Sequence, residues 1–110
     1  MVTKENYIKE KAIEFYNKVK QHYPVKKILL FGSYAKGNFN EDSDIDIAVI
    51  IDEKEIEKNK RIEITSELYK IASGIDVYIE PKCIFLNEYL NHEPASILAE
   101  IIRTGKVISE

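Results

Sequence analysis

Asp44 and Asp46 stand two residues apart at the head of an apolar run ending at Ile51, and ten residues separate Asp44 from the Gly32-Ser33 pair that closes another, Ile28-Leu29-Leu30-Phe31. In an extended strand successive side chains point to opposite faces, so Asp44 and Asp46 share one face while Ile45, Ile47, Val49 and Ile51 share the other. Two carboxylates so placed repel each other and cost stability unless a cation offsets them. A third acid, Asp76, lies in the alternating stretch Ile75-Asp76-Val77-Tyr78-Ile79-Glu80. If the three strands are neighbours, three carboxylates and a Gly-Ser turn converge. Clustered acidic oxygens are hard ligands suited to Mg²⁺, which takes one or two carboxylates and completes its shell with water and substrate phosphates. Gly32 lets backbone N–H groups approach a triphosphate, the Ser33 hydroxyl can donate to a phosphate oxygen, and Lys36 can add positive charge. These are parts for transferring a nucleotidyl group: two metal ions would bridge the α-phosphate, stabilise the leaving pyrophosphate and activate an attacking hydroxyl.

Other readings of the same residues are weaker. Asp42, Asp44, Asp46 and Glu53 match positions one, three, five and twelve of a calcium-binding helix-loop-helix. That loop needs Gly at its sixth position, and Ile47 stands there inside a β-branched run. Asp52 closes the strand roughly 26 Å from Asp44 at ~3.3 Å per residue, too far to share a metal. Glu80 shares a face with Asp76 but sits about 13 Å further along by the same rise, so Asp76 is the preferred third carboxylate. His22 and His92 have no partner at catalytic spacing, and Cys83 reads as a small core residue. Tyr34, beside the Gly-Ser turn, suits either stacking on a base, donating to a phosphate, or packing.

The elements that must position these groups alternate helix and strand. Thr3 to Tyr23 carries apolar residues at Tyr7, Ile8, Ala12, Phe15, Tyr16 and Val19, the spacing of an amphipathic helix, with Thr3 as N-cap and Pro24 as stop. Val25 to Phe31 is a strand, Ser33 to Lys36 a single helical turn, Asn38 to Ser43 a loop by turn chemistry, and Asp44 to Ile51 the second strand. Asp52 to Ser73 is helical with Ile56, Ile64, Leu68, Ile71 and Ala72 inward and Gly74 at its end. Ile75 to Glu80 is the third strand, closed by Pro81; Cys83 to Leu90 has no decisive period. Pro94 opens a last helix, Ala95 to Arg103, and Lys106 to Ile108 follow Gly105 as a short strand. The order is α-β-α-β-α-β-α-β.

With 110 residues, 45% of them hydrophobic, the chain is expected to form one domain over 1–110 with a single core. One cysteine excludes an internal disulfide, and no Cys/His cluster suggests zinc. No apolar signal region opens the chain and no apolar run is long enough to span a bilayer, so a cytoplasmic protein of prokaryotic composition is expected. A net charge of -3 argues against a broad nucleic-acid-binding face.

Gly32-Ser33, the spacer, Asp44-Ile45-Asp46-Ile47 and the later Ile75-Asp76-Val77 resemble the polymerase-beta-type nucleotidyltransferase superfamily, and most of all its minimal prokaryotic members. The likeness runs from the leading helix to the Arg103-Thr104-Gly105-Lys106-Val107 ending. It implies an α+β fold, a mixed β-sheet flanked by helices. By position it implies that Asp44 and Asp46 ligate two Mg²⁺ ions, that Asp76 is the third ligand and candidate base, and that Gly32 and Ser33 hold the phosphates of ATP. Tyr34 stands where many such proteins carry Arg, leaving Lys36 as the nearby compensating charge. Minimal nucleotidyltransferases of this kind pair with a small helical HEPN-type toxin and transfer AMP to its tyrosine, a type VII-like antitoxin action, so a homo- or hetero-oligomer is expected. The alternative from a different class is a binding antitoxin or scaffold that neutralises its partner by contact. Transfer to a small molecule, as in aminoglycoside-modifying relatives, would call for an additional substrate-binding domain.

Overall fold

The structure, a computed structural model, describes residues 4–37, 43–56 and 60–109. Helix α1, Lys4–Val19, buries Ile8, Ala12, Phe15 and Val19, the four-three-four spacing that puts them on one stripe. It ends earlier than Pro24 demands: Lys20 to Tyr23 close in turns, with the Tyr23 N–H bonded to Val19 O at 3.0 Å. Strand β1, Val25–Phe31, runs into the four-residue turn α2, Ser33–Lys36. Strand β2 is Ile45–Ile51, followed by a 3₁₀ turn at Glu53–Glu55 and helix α3, Arg61–Ser73. The single helix expected from Asp52 is therefore two pieces. Strand β3 is Ile79–Phe85, α4 Leu86–Leu90, α5 Ile97–Thr104 and β4 Lys106–Ser109. The expected Thr3 cap and the loop residues Asn38 to Asp42 lie outside the described residues.

The strands form a mixed sheet in the order β3-β2-β1-β4, with β1 antiparallel to both its neighbours and β2 parallel to β3. One face, made by Ile28, Leu30, Ile45, Ile47, Val49, Ile51, Ile79 and Cys83, packs on α1 and α3 through Phe15, Ile64 and Leu68. The other, made by Leu29, Ala48, Ile50 and Ile84, packs on Ile101 of α5 with Leu86, Tyr89 and Leu98 around it. Burial on both faces explains why β1 and β2 read as near-continuous apolar runs. The expectation of an α+β mixed sheet flanked by helices holds, with the end of β3 and then α4 filling the stretch that had no clear period.

The third strand differs from its expected span. Ile75 to Tyr78 are turn, not strand: Ile75 and Asp76 N–H groups bond back to Ala72 O, and the Tyr78 N–H bonds the Asp76 side chain at 2.9 Å. Such an Asx turn competes with the extended conformation. Pairing starts at Ile79 and runs through Pro81, which an edge strand tolerates because its missing N–H can face away from the ladder. Helix α5 likewise starts later than expected, capped by Ser96 Oγ, which accepts the Ala99 N–H at 3.0 Å.

Candidate active site

The register sets the site. Phe31 of β1 lies opposite Asp46 of β2, and Asp46 lies opposite Glu80 of β3. The chain turns at Gly32 immediately after that row. Gly32 has φ +72° and ψ -148°, a region essentially confined to glycine. A Cβ there would fall 2.2 Å from Asp46 Oδ2, so the backbone of the Gly-Ser turn presses against the carboxylate. Asp44, exposed, precedes β2 and adds its charge at the mouth.

Asp46 carries the electrostatic signature of the site. Burial pushes its carboxyl up to about 6, and the charges of Glu80 and Asp44 and a hydrogen bond with Glu80 push the same way. These causes match a place where negative charge is concentrated and a cation would be welcome. Asp46 and Glu80 line a cleft of about 310 Å³ with Phe31, Tyr69, Pro81, Lys82, Ile97 and Ile101. Lys82, two residues along β3 from Glu80, brings positive charge to the wall.

Asp76 has other partners. Its Oδ2 accepts the Tyr7 hydroxyl of α1 at 2.7 Å and its Oδ1 accepts the Tyr78 N–H. Its charge acts on Tyr7 and Tyr34, whereas the charges acting on Asp46 are those of Glu80 and Asp44. Tyr34, 5% exposed, packs into the core on the α1 and α3 side. Burial, then the Asp76 charge, raises its phenol. Ser33 is half-buried at the start of α2, and Lys36 is exposed at its end. The structure thus joins Gly32, Asp44 and Asp46 and adds Glu80, which sequence spacing sets aside; the available signal was the unbroken β alternation of Ile79, Pro81 and Cys83 beyond it.

Mg²⁺ fits this donor set. Asp44, Asp46 and Glu80 offer only hard oxygens, and the bare backbone of Gly32 leaves room beside Asp46. Among the described residues no group of three or more acidic, His or Cys side chains is gathered closely enough to hold a metal ion by itself; Mg²⁺ takes one or two carboxylates and completes its shell with water and phosphates.

Fold and site together define a nucleotidyltransferase. The family model described as Polymerase beta, Nucleotidyltransferase matches residues 10–110, and the chain belongs to that family. A Methanocaldococcus jannaschii protein named as a candidate protein adenylyltransferase is 37% identical over 103 residues, covering 90% of this chain and 96% of that one. A second protein of that organism, similarly named, is 41% identical over 73 residues, covering 66% of this chain and 72% of its own. Among solved structures, a candidate nucleotidyltransferase from Sulfolobus solfataricus shares the fold with a TM-score of 0.64 at 19% identity, covering 94% of this chain and 80% of that one. A chain of a toxin-antitoxin complex crystallised with AMP-PNP has a TM-score of 0.54 at 25% identity, covering 92% of this chain and 72% of its own. No helix among the described residues is long and apolar enough to cross a membrane.

Proposed function

We propose that this nucleotidyltransferase transfers AMP from ATP to a protein acceptor, a HEPN-type toxin encoded beside it, and so acts as an antitoxin in the cytoplasm. The observation that carries the reading is the row of Phe31, Asp46 and Glu80 across three strands, with the Gly32 turn pressed against Asp46, at the head of a cleft large enough for part of a nucleotide. The names of the relatives and the toxin-antitoxin structure with AMP-PNP support adenylyl transfer and a toxin partner.

Asp44, Asp46 and Glu80 would hold Mg²⁺, which when bound neutralises the triphosphate and the leaving pyrophosphate. Glu80, rather than Asp76, is the third carboxylate in this reading, because it is the acid that shares the row with Asp46. Gly32 and Ser33 present N–H and hydroxyl donors to the phosphates, with Lys82 and Lys36 adding positive charge. Glu80 takes the proton of the acceptor hydroxyl. Asp76 positions the Gly-Ser turn through Tyr7 and the neighbouring Tyr34.

The test is incubation with labelled ATP, Mg²⁺ and the neighbouring gene product, with masses of both proteins. Addition of AMP to the neighbour is expected, abolished in the double variant Asp44→Asn with Asp46→Asn. Glu80→Gln should slow transfer by about 10²–10⁴-fold and Asp76→Asn by far less; the reverse order would refute the assignment of Glu80, and undiminished transfer in the double variant would refute the enzyme. Core burial of Tyr34, where the family pattern has a cation, favours one other reading, a contact-only antitoxin. Neutralisation that survives the double variant would select it.

A further inference from the structure

The chain has seven tyrosines, and the structure employs most of them internally. Tyr7 donates to Asp76 at 2.7 Å, Tyr89 Oη meets Lys27 Nζ at 3.2 Å, and Tyr16 lies under Lys20 Nζ at 5.0 Å. Tyr23 hydrogen-bonds Glu67, and Tyr34 is in the core. Tyr69 differs. It sits beside the inward Leu68 on α3, is 48% exposed, and lines the same cleft as Asp46, Glu80 and Lys82. Tyr78 is also exposed but does not line that cleft.

From this juxtaposition we propose that Tyr69 is itself an acceptor, and that the protein adenylylates its own Tyr69; the inference rests on the reading of the site as an AMP transferase. The Tyr69 Oη lone pair attacks the α-phosphorus of ATP, an O–P bond forms, and the bond from that phosphorus to the oxygen bridging to the β-phosphate breaks. That oxygen leaves with the electron pair as part of pyrophosphate, and the phenolic proton passes to Glu80. The phenolic proton needs an acceptor at hand, and Glu80 lines the same cleft. Holding acceptor and donor in one cavity makes the encounter intramolecular, worth many orders of magnitude in effective concentration. Phe31, Ile97 and Ile101 supply apolar wall on which water competes poorly with the phenol.

The experiment incubates the full chain with ATP and Mg²⁺ alone, follows intact mass and maps the modified peptide. One AMP per chain on Tyr69 is expected, with a first-order rate unchanged on tenfold dilution, and no gain in Tyr69→Phe or in the Asp44→Asn, Asp46→Asn double variant. A wild type that adds AMP to the neighbouring gene product but never to Tyr69 overturns self-modification and leaves the transferase reading intact. A wild type that modifies neither protein overturns both. AMP on Tyr69 at a rate that falls tenfold on dilution overturns the intramolecular route.

Discussion

Replacing Asp46 by Asn should stabilise the protein while removing its chemistry. The carboxyl moves from an ordinary 3.8 to about 6 on folding, through burial first and then Glu80 and Asp44. At 1.36 kcal/mol per pH unit that is about 3 kcal/mol at face value; the group is partly open to water, and screening lowers it to about 1–2 kcal/mol. The sign follows from proton binding. Between pH 3.8 and about 6 the folded chain holds a proton that the unfolded chain has released, so this group's contribution to stability falls as pH rises through that window. The penalty is absent below the window and complete above it. Asp46→Asn removes the charge, and the amide can still donate to Glu80. In urea titrations with EDTA, the variant should exceed wild type by about 1–2 kcal/mol at pH 8, or about 4–8 °C in Tm per kcal/mol, with the difference vanishing near pH 4. A variant no more stable than wild type at pH 8, or a difference independent of pH, would refute the account of Asp46 as an electrostatically strained group.

Gly32→Ala should cost about 1–3 kcal/mol from backbone conformation alone and displace the Asp46 carboxylate that its Cβ would meet. Asp46→Ala in the same chain should recover part of that loss, and a strictly additive double variant in thermal unfolding would count against the contact. Phe15, fully buried between α1 and the sheet, should lose about 3–5 kcal/mol on truncation to Ala, read as a lower urea midpoint. Glu88 faces burial that would raise its carboxyl, but the hydrogen bonds from Arg61 and the Phe85 N–H and the charges of Arg61 and Lys82 outweigh it and hold it low. Its contribution is present above the ordinary carboxylate range and lost as pH falls through the lowered value. Glu88→Gln should therefore destabilise at pH 7 and not at pH 2, and an equal loss at both would refute the pairing.

What was legible in the chain were features that depend on near neighbours. The β2 alternation survives because Ile45, Ile47, Val49 and Ile51 are all buried on one face, and period two needs no partner to be seen. The α1 stripe and the turn at Gly32-Ser33 are local in the same sense. Element ends were less legible because the winning interactions are small. The Asp76 side chain bonded to the Tyr78 N–H converts a clean alternating stretch into a turn. Pro81 marks a strand interior here only because β3 is a sheet edge, and edge position is a property of the assembled sheet. The three-dimensional place of Tyr34 also depends on packing: the residue after Ser33 turns into the core rather than toward the carboxylates.

Which acid lies beside Asp46 is the sharpest case. Distance along one strand favours Asp76 over Glu80 only if both belong to that strand, whereas proximity to Asp46 is decided by cross-strand register. Beginning the parallel pairing at Ile79 opposite Ile45 places Glu80 beside Asp46, and a slip of one residue would turn Glu80 to the opposite face. Register is held by the reverse side of the sheet, where Ile45, Ile47 and Ile79 pack under α1 and α3. Each buried Ile contributes about 1.5–3 kcal/mol, so a few of them outweigh the roughly 1–2 kcal/mol that screening leaves of the Asp46 penalty. The sheet can therefore hold like charges together on one face because the other face fixes the alignment. Loosening that side, by Ile47→Ala for instance, should reduce transfer through lost alignment of Asp46 and Glu80 even where circular dichroism still reports a folded chain. Unchanged transfer in a folded but clearly destabilised Ile47→Ala would show that the carboxylates hold their places without it.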